Sequence, residues 1–363
     1  MEGSSLEKKL LSNFTSAFIK DPNIDEYDFL PVTEPINNSN PILTVEHKLG
    51  IELWAAKILF HYAYKMLMSF TARRKFTAVS GTNSENLLPC TSCVLIMNAD
   101  CLTAWNIRKE MVTAGKLRIK DDLKFGRLVL GKHPKSPETF AQRKWLITQL
   151  KLHLTAGAVE EQDNRNVNEN HLPLDADESQ TTLAEILAEE TQVAQNAAEK
   201  YANNYNAWNY RIFMLDIFNA PLDFLLLELR TLEKWVSMHV SDHSGFHYRQ
   251  TLFARLEKCG YKDFVHLMQK ELSFTAELIS RYEGHEAVWC HRRWVIYHIH
   301  KFGSSQENVE RDVKRCRLDV SERENDVDSE KIFCDHIRTS SQNEWQLELL
   351  NRHEKWLERN IDP

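Results

Sequence analysis

Tyr205-Asn206-Ala207-Trp208-Asn209-Tyr210-Arg211 sets a tryptophan and an arginine three residues apart, just after an asparagine-rich turn. The same aromatic-x-x-Arg spacing recurs at Trp105 and Arg108, Phe140 and Arg143, Phe246 and Arg249, and Trp289 and Arg292. Successive aromatics are 35, 68, 38 and 43 residues apart, and 68 is twice 34. A unit of roughly 34 to 40 residues therefore runs through most of the chain, the period of stacked helical hairpins that bury their apolar faces only against their neighbours. The expected fold class is all-α, a solenoid of stacked antiparallel helical hairpins.

Composition agrees. Gly (11) and Pro (10) are scarce among 363 residues, whereas a β-rich or loop-rich chain needs more of both in its turns. A 42% apolar content and a mean hydropathy of −0.47 suit a soluble protein. The longest apolar stretch, Trp54 to Phe70, carries Lys57, His61 and Lys65, so no membrane insertion is expected. Met1 to Phe14 holds no apolar signal core, and Asn360 to Pro363 offers no cysteine for lipid attachment. A net charge of −7 argues against a nucleic-acid binder. Seven scattered cysteines argue against a disulfide framework and suit a cytoplasmic location.

Residues 1–45 read as a short helix followed by a segment punctuated by Pro22, Pro31, Pro35 and Pro41, and a long helix is expected from about Glu46 to Thr71. The helical-hairpin array spans 46–302, with about five repeats. One first helix starts at Thr182, whose spacing to Glu185 makes a capping box. Second helices carry the aromatic and the arginine, and Ser136, Asn204 and Asp242 stand four residues ahead of the aromatic as N-caps. Residues 160–178 hold seven acids against Arg165 alone, a solvated loop between units. Residues 303–330 are dense in charge of both signs, a linker or an exposed helix, and 331–363 form a C-terminal helical segment.

The repeated aromatics and arginines share a helix face and are read as scaffold, with each arginine paired to an acid or carbonyl of the next unit. Five positions before the aromatics stand Asp100, Lys135, Asn203, Ser241 and Gly284, so one repeat alone places a cation there. Lys135 precedes a helix start, whose free N–H groups favour an anion; the alternative is an ordinary exposed turn lysine. His239, His243 and His247 are spaced for one helix face, but Ser241 to Gly245 reads as a turn that breaks it. Cys90 and Cys93 form a single CxxC without the second pair of a structural zinc site. No metal site is expected on this chain.

At these repeats the chain resembles the protein prenyltransferase alpha-subunit family, over about residues 90–300. The hallmark, an Asn/Pro-rich turn followed by an aromatic, two residues and Arg, is met by Tyr205 to Arg211, Met97 to Arg108 and Pro134 to Arg143. The peptides Ser241 to Arg249 and Gly284 to Arg293 resemble a divergent branch that supplies the alpha chain of a third type of protein geranylgeranyltransferase.

The resemblance implies a right-handed α–α superhelix wrapped around a separate prenyltransferase beta subunit, for which the Rab geranylgeranyltransferase beta subunit is a candidate. It implies transfer of an isoprenoid from prenyl diphosphate to a C-terminal cysteine of a protein substrate. Zinc is expected on the beta subunit, with no cofactor on this chain. The family's diphosphate lysine falls on Lys135, here followed by Ser136-Pro137 instead of Asn-Tyr. The family's Asn-Tyr pair near the prenyl diphosphate falls on Asn204 and Tyr205, and the histidine that usually follows is Asn206. The other reading is a helical-repeat adaptor that kept the scaffold and lost the chemistry.

Overall fold

The computed structural model describes residues 5–35, 40–73, 86–160, 182–307 and 320–361. Helix α1 (Ser5–Lys20) leads into strands β1 (Glu26–Leu30), β2 (Ile42–Val45) and β3 (Lys48–Glu52), and then into α2 (Leu53–Arg73). The rest is helical hairpins: α3 (Leu87–Met97) with α4 (Leu102–Thr113), α5 (Ile119–Lys132) with α6 (Pro137–Glu160), and α7 (Leu183–Lys200) with α8 (Tyr205–Ile217). Then follow α9 (Leu222–Met238) with α10 (His243–Lys258), α11 (Phe264–Arg281) with α12 (Glu286–Glu307), and α13 (Val320–Ser340) with α14 (Glu344–Asn360). The all-α hairpin solenoid expected from the repeat is the fold observed, with one small sheet added. Two compact units divide the chain, residues 1–218 and 219–363, a division that falls inside the repeat array.

The sheet is the main departure from the expected architecture. β3 lies in the middle, parallel to β1 and antiparallel to β2. Glu46 and His47 turn the β2–β3 hairpin with φ of 47° and 65°, so the helix expected from Glu46 starts only at Leu53. Two consecutive positive φ values suit a tight hairpin, but Asn-Gly is the usual signal for one and neither residue supplies it. Leu49 and Ile51 of β3 are buried, and the buried Tyr27 of β1 donates its hydroxyl to the Ile96 carbonyl at 2.7 Å.

The caps lie where expected. Ser136 Oγ, Asn204 Oδ1 and Asp242 Oδ1 accept the N–H groups of Thr139, Ala207 and Gly245 at 3.1, 3.2 and 2.8 Å. Thr182 and Glu185 close the capping box in both directions. Of the acidic loop 160–178, all but Glu160, the last residue of α6, lies outside the described residues. The charged segment 303–330 is helical at both ends, in α12 and α13, and its last residue, Glu330, is buried.

Trp105, Phe140, Trp208, Phe246 and Trp289 are all buried, as are Arg108, Arg143, Arg211, Arg249 and Arg292. Burying a guanidinium is tolerable only when its donors are met. In the first unit, Arg108 Nε reaches Asp122 at 2.6 Å, and Arg143 grips Glu190 through Nε and Nη2 at 3.0 and 2.6 Å. In the second, Arg249 holds Glu271 and Arg292 holds Glu330 in the same fork. Each of these four acids lies on the first helix of the following hairpin, as expected for these four arginines. The guanidinium also donates to a carbonyl of its own hairpin: Leu123 for Arg143, Leu229 for Arg249, Leu272 for Arg292.

Each acid is shared. The residue just before the following hairpin's arginine donates to the same carboxylate: Gln142 to Asp122 at 2.7 Å, Tyr210 to Glu190 at 2.6 Å, and His291 to Glu271 at 2.7 Å. Tyr248 donates its hydroxyl to the buried Glu228 at 2.7 Å. An aromatic ring three residues after the acid backs the guanidinium at Arg108 over Phe125 (4.1 Å), Arg249 over Phe274 (5.2 Å) and Arg292 over Phe333 (4.0 Å). A buried cation on such a face gains on the order of 1–2 kcal/mol.

Candidate functional site

The Lys135 turn is built by side chains from a segment some 66 to 71 residues further on. Lys200 Nζ donates to the Gly131 carbonyl at 2.8 Å, Asn204 Nδ2 to the Pro134 carbonyl at 2.7 Å, and Asn206 Nδ2 to the Lys135 carbonyl at 2.9 Å. The α5–α6 turn is thereby pinned to the α7–α8 turn. Its other side is fixed by Ser136, whose hydroxyl donates to Asp100 Oδ1 at 2.6 Å while capping α6.

Lys135 is exposed, and its ammonium donates to the Tyr201 hydroxyl at 3.2 Å and sits 4.2 Å from the centre of that ring. Tyr201 closes α7 in extended backbone (φ −146°, ψ 116°). Asn203 follows with φ 53°, a left-handed turn position that asparagine tolerates better than most residues. The structure thus brings Lys135, Asn204 and Tyr205 to one pair of turns, and Tyr205 is 67% exposed.

Asn204 has a different job from the diphosphate contact the resemblance implied. It is buried; one amide hydrogen goes to Pro134, the other to the Ala197 carbonyl at 3.1 Å, and its oxygen caps α8. With both donors spent, it has none left for an anion. Asn206, standing where the family's histidine usually stands, likewise holds the Lys135 backbone. Sequence reasoning missed Tyr201, which lies outside the repeat motif and meets Lys135 only through the fold.

The candidate metal ligands do not assemble. His239 ends α9, with Nδ1 at 2.9 Å from the Trp235 carbonyl and its ring stacked on Trp235, while His243 opens α10. Cys90 and Cys93 are buried in α3, and burial pushes the Cys90 thiol up to about 12, far from the thiolate a metal needs. Glu330, Cys334 and His353 do cluster, with their ligand atoms within 4.8 Å of one another. The Glu330 carboxylate, however, already holds Arg292 and His353, and burial pushes the Cys334 thiol up to about 12. This cluster is the last link of the arginine–acid chain.

A family model described as the protein prenyltransferase alpha subunit repeat matches residues 187–218, 225–256 and 268–299, which fall on α7–α8, α9–α10 and α11–α12. The chain belongs to the protein prenyltransferase alpha subunit repeat family. Protein prenyltransferase alpha subunit repeat-containing protein 1 of Homo sapiens is 30% identical over 406 aligned residues, covering 98% of this chain and 97% of the relative. Its namesake in Danio rerio is 36% identical over 82% of this chain and 73% of the relative. Geranylgeranyl transferase type-2 subunit alpha of Bos taurus is 26% identical over 54% of this chain and 38% of that protein. Among the described residues, no helix is long and apolar enough to cross a membrane.

Proposed function

We propose that this chain is the alpha subunit of a heterodimeric protein prenyltransferase, of geranylgeranyl type, and that Lys135 assists departure of the diphosphate. The observation that carries this reading is the construction around Lys135. Three side chains pin the backbone of its turn while its ammonium stays at the surface. An ordinary turn lysine needs no such support. A cation held in place before the reaction stabilises charge as it develops on the leaving oxygen, at little cost in reorganisation.

In this reading the beta subunit holds the zinc, which supplies the thiolate of the substrate cysteine. This chain shapes the interface, binds the diphosphate through Lys135 with Tyr205 beside it, and uses Asn204 and Asn206 to fix the turn. Membership of the repeat family and the likeness to a geranylgeranyl transferase alpha subunit support it. A cytoplasmic setting follows from the substrate class.

The test is purification of the tagged full chain from cells, followed by a prenyl-transfer assay on whatever beta subunit accompanies it. Equal recovery of a beta subunit, with transfer slowed about 10²-fold by Lys135→Ala, is the expected result. Recovery of the chain alone, or an unchanged rate in the variant, would favour a non-catalytic adaptor.

A further inference from the structure

Tyr201 stands at the mouth of the Lys135 turn with chemistry that the repeat motif does not supply. The residue is 44% exposed, so it is not there to fill the core. Lys200 and Asn204, on either side of it in sequence, are tied to Gly131 and Pro134, which fixes the backbone from which it projects. Its hydroxyl oxygen accepts from Lys135 Nζ at 3.2 Å. An oxygen that accepts from an ammonium turns its own hydrogen away from that ammonium. Two N–H bonds of Lys135 and the O–H bond of Tyr201 are then left for other acceptors. Together they form a compact donor set beside the start of α6, suited to a ligand with several anionic oxygens.

We infer that Tyr201 is a second diphosphate-binding residue, which holds the Lys135 ammonium in place and donates its own hydroxyl proton to a diphosphate oxygen. The inference rests on the alpha-subunit reading, because that reading makes Lys135 a diphosphate ligand. Tyr201 takes the place of the tyrosine that the family pattern sets two residues after the lysine, where this chain has Pro137. No bond is made or broken by Tyr201; its proton is shared in a hydrogen bond and stays on the phenol.

The test uses the full chain, together with any beta subunit that accompanies it, and inorganic diphosphate as the probe in isothermal titration. Tyr201→Phe keeps the ring under the ammonium and removes only the hydroxyl. It should weaken diphosphate about threefold to tenfold, the scale of one charge-assisted hydrogen bond at a half-exposed site, with the unfolding temperature unchanged. In a Lys135→Ala background the same change should have little further effect, since the two residues act as a unit. Weakened binding by Lys135→Ala with wild-type binding by Tyr201→Phe would overturn the inference while leaving the alpha-subunit reading standing. Wild-type binding by both variants, or no binding by the parent chain, would overturn both.

Discussion

Arg143 and Glu190 lie 47 residues apart in sequence, on helices of successive hairpins, yet form a two-pronged ion pair with neither side chain open to water. Burial works against the charge on Arg143, but Glu190 more than offsets it and holds the guanidinium firmly protonated.

Removing the acid strands the arginine. Glu190→Ala leaves a buried cation without its counter-ion and should cost about 3–5 kcal/mol in urea unfolding. Arg143→Met added to it should recover part of that loss. A double variant no more stable than the single would show that charge is not the issue.

Asn204 and Lys135 should separate structure from function. Asn204→Ala removes a helix cap and two side-chain hydrogen bonds and should lower stability by about 2 kcal/mol. Lys135→Ala touches only an exposed contact and should leave the unfolding midpoint within about 0.5 kcal/mol of the parent. Equal losses from the two would contradict the assignment of Asn204 to the scaffold.

Acid should weaken the second unit in two stages. Burial, only partly offset by Glu271 and Glu330, lowers the proton affinity of His291 and His353. The unfolded chain then takes up more protons than the folded one once pH falls below about 6.5, and stability declines from there. Burial alone would raise Glu271 and Glu330, but arginine and histidine partners outweigh it and bring both to about 2. Their contribution is full above about 4.5 and is lost as pH falls from there towards 2. Urea midpoints between pH 8 and 3 should show both declines, and His291→Gln should reduce the first.

Gly284 has a φ of 84°, and a Cβ there would lie 3.2 Å from Trp345 Cδ1. Gly284→Ala should therefore destabilise by about 1–2 kcal/mol, from the left-handed backbone and the crowded indole together. Thermal unfolding would show it as a lower midpoint, and a neutral result would mean that Trp345 gives way freely.

Much of this architecture could be read from residue spacing. The arginines gave the hairpins, and the caps at Ser136, Asn204 and Asp242 gave the helix starts. The buried acids were equally present in the pattern: Asp122, Glu190, Glu228 and Glu271 each stand 21 residues before an arginine of the repeat. They pass unnoticed because acids are common on solvated helix faces and nothing local marks one as buried. The β2–β3 hairpin hides behind a turn without glycine or asparagine. At the candidate site, Lys135 was visible as an exception to the register. Tyr201 was not, because its meeting with Lys135 depends on how two distant turns are pinned together. Asn204 is hard to read for a similar reason: spacing shows a polar side chain but not that its hydrogens are already taken.

The sharing of one carboxylate between neighbours also limits how the protein can be cut. A version ending after α12 would lose Glu330 and leave Arg292 as a buried charge at its new end. Truncation thus exposes an electrostatic fault as well as an apolar face. The sixth hairpin avoids that fault. Four and seven residues after its cap, Asn343, it has Leu347 and Leu350 where the other hairpins have their aromatic and arginine. Leu350 is wholly buried and asks for no counter-charge, so the polar relay that passes from hairpin to hairpin in the second unit stops on a hydrocarbon.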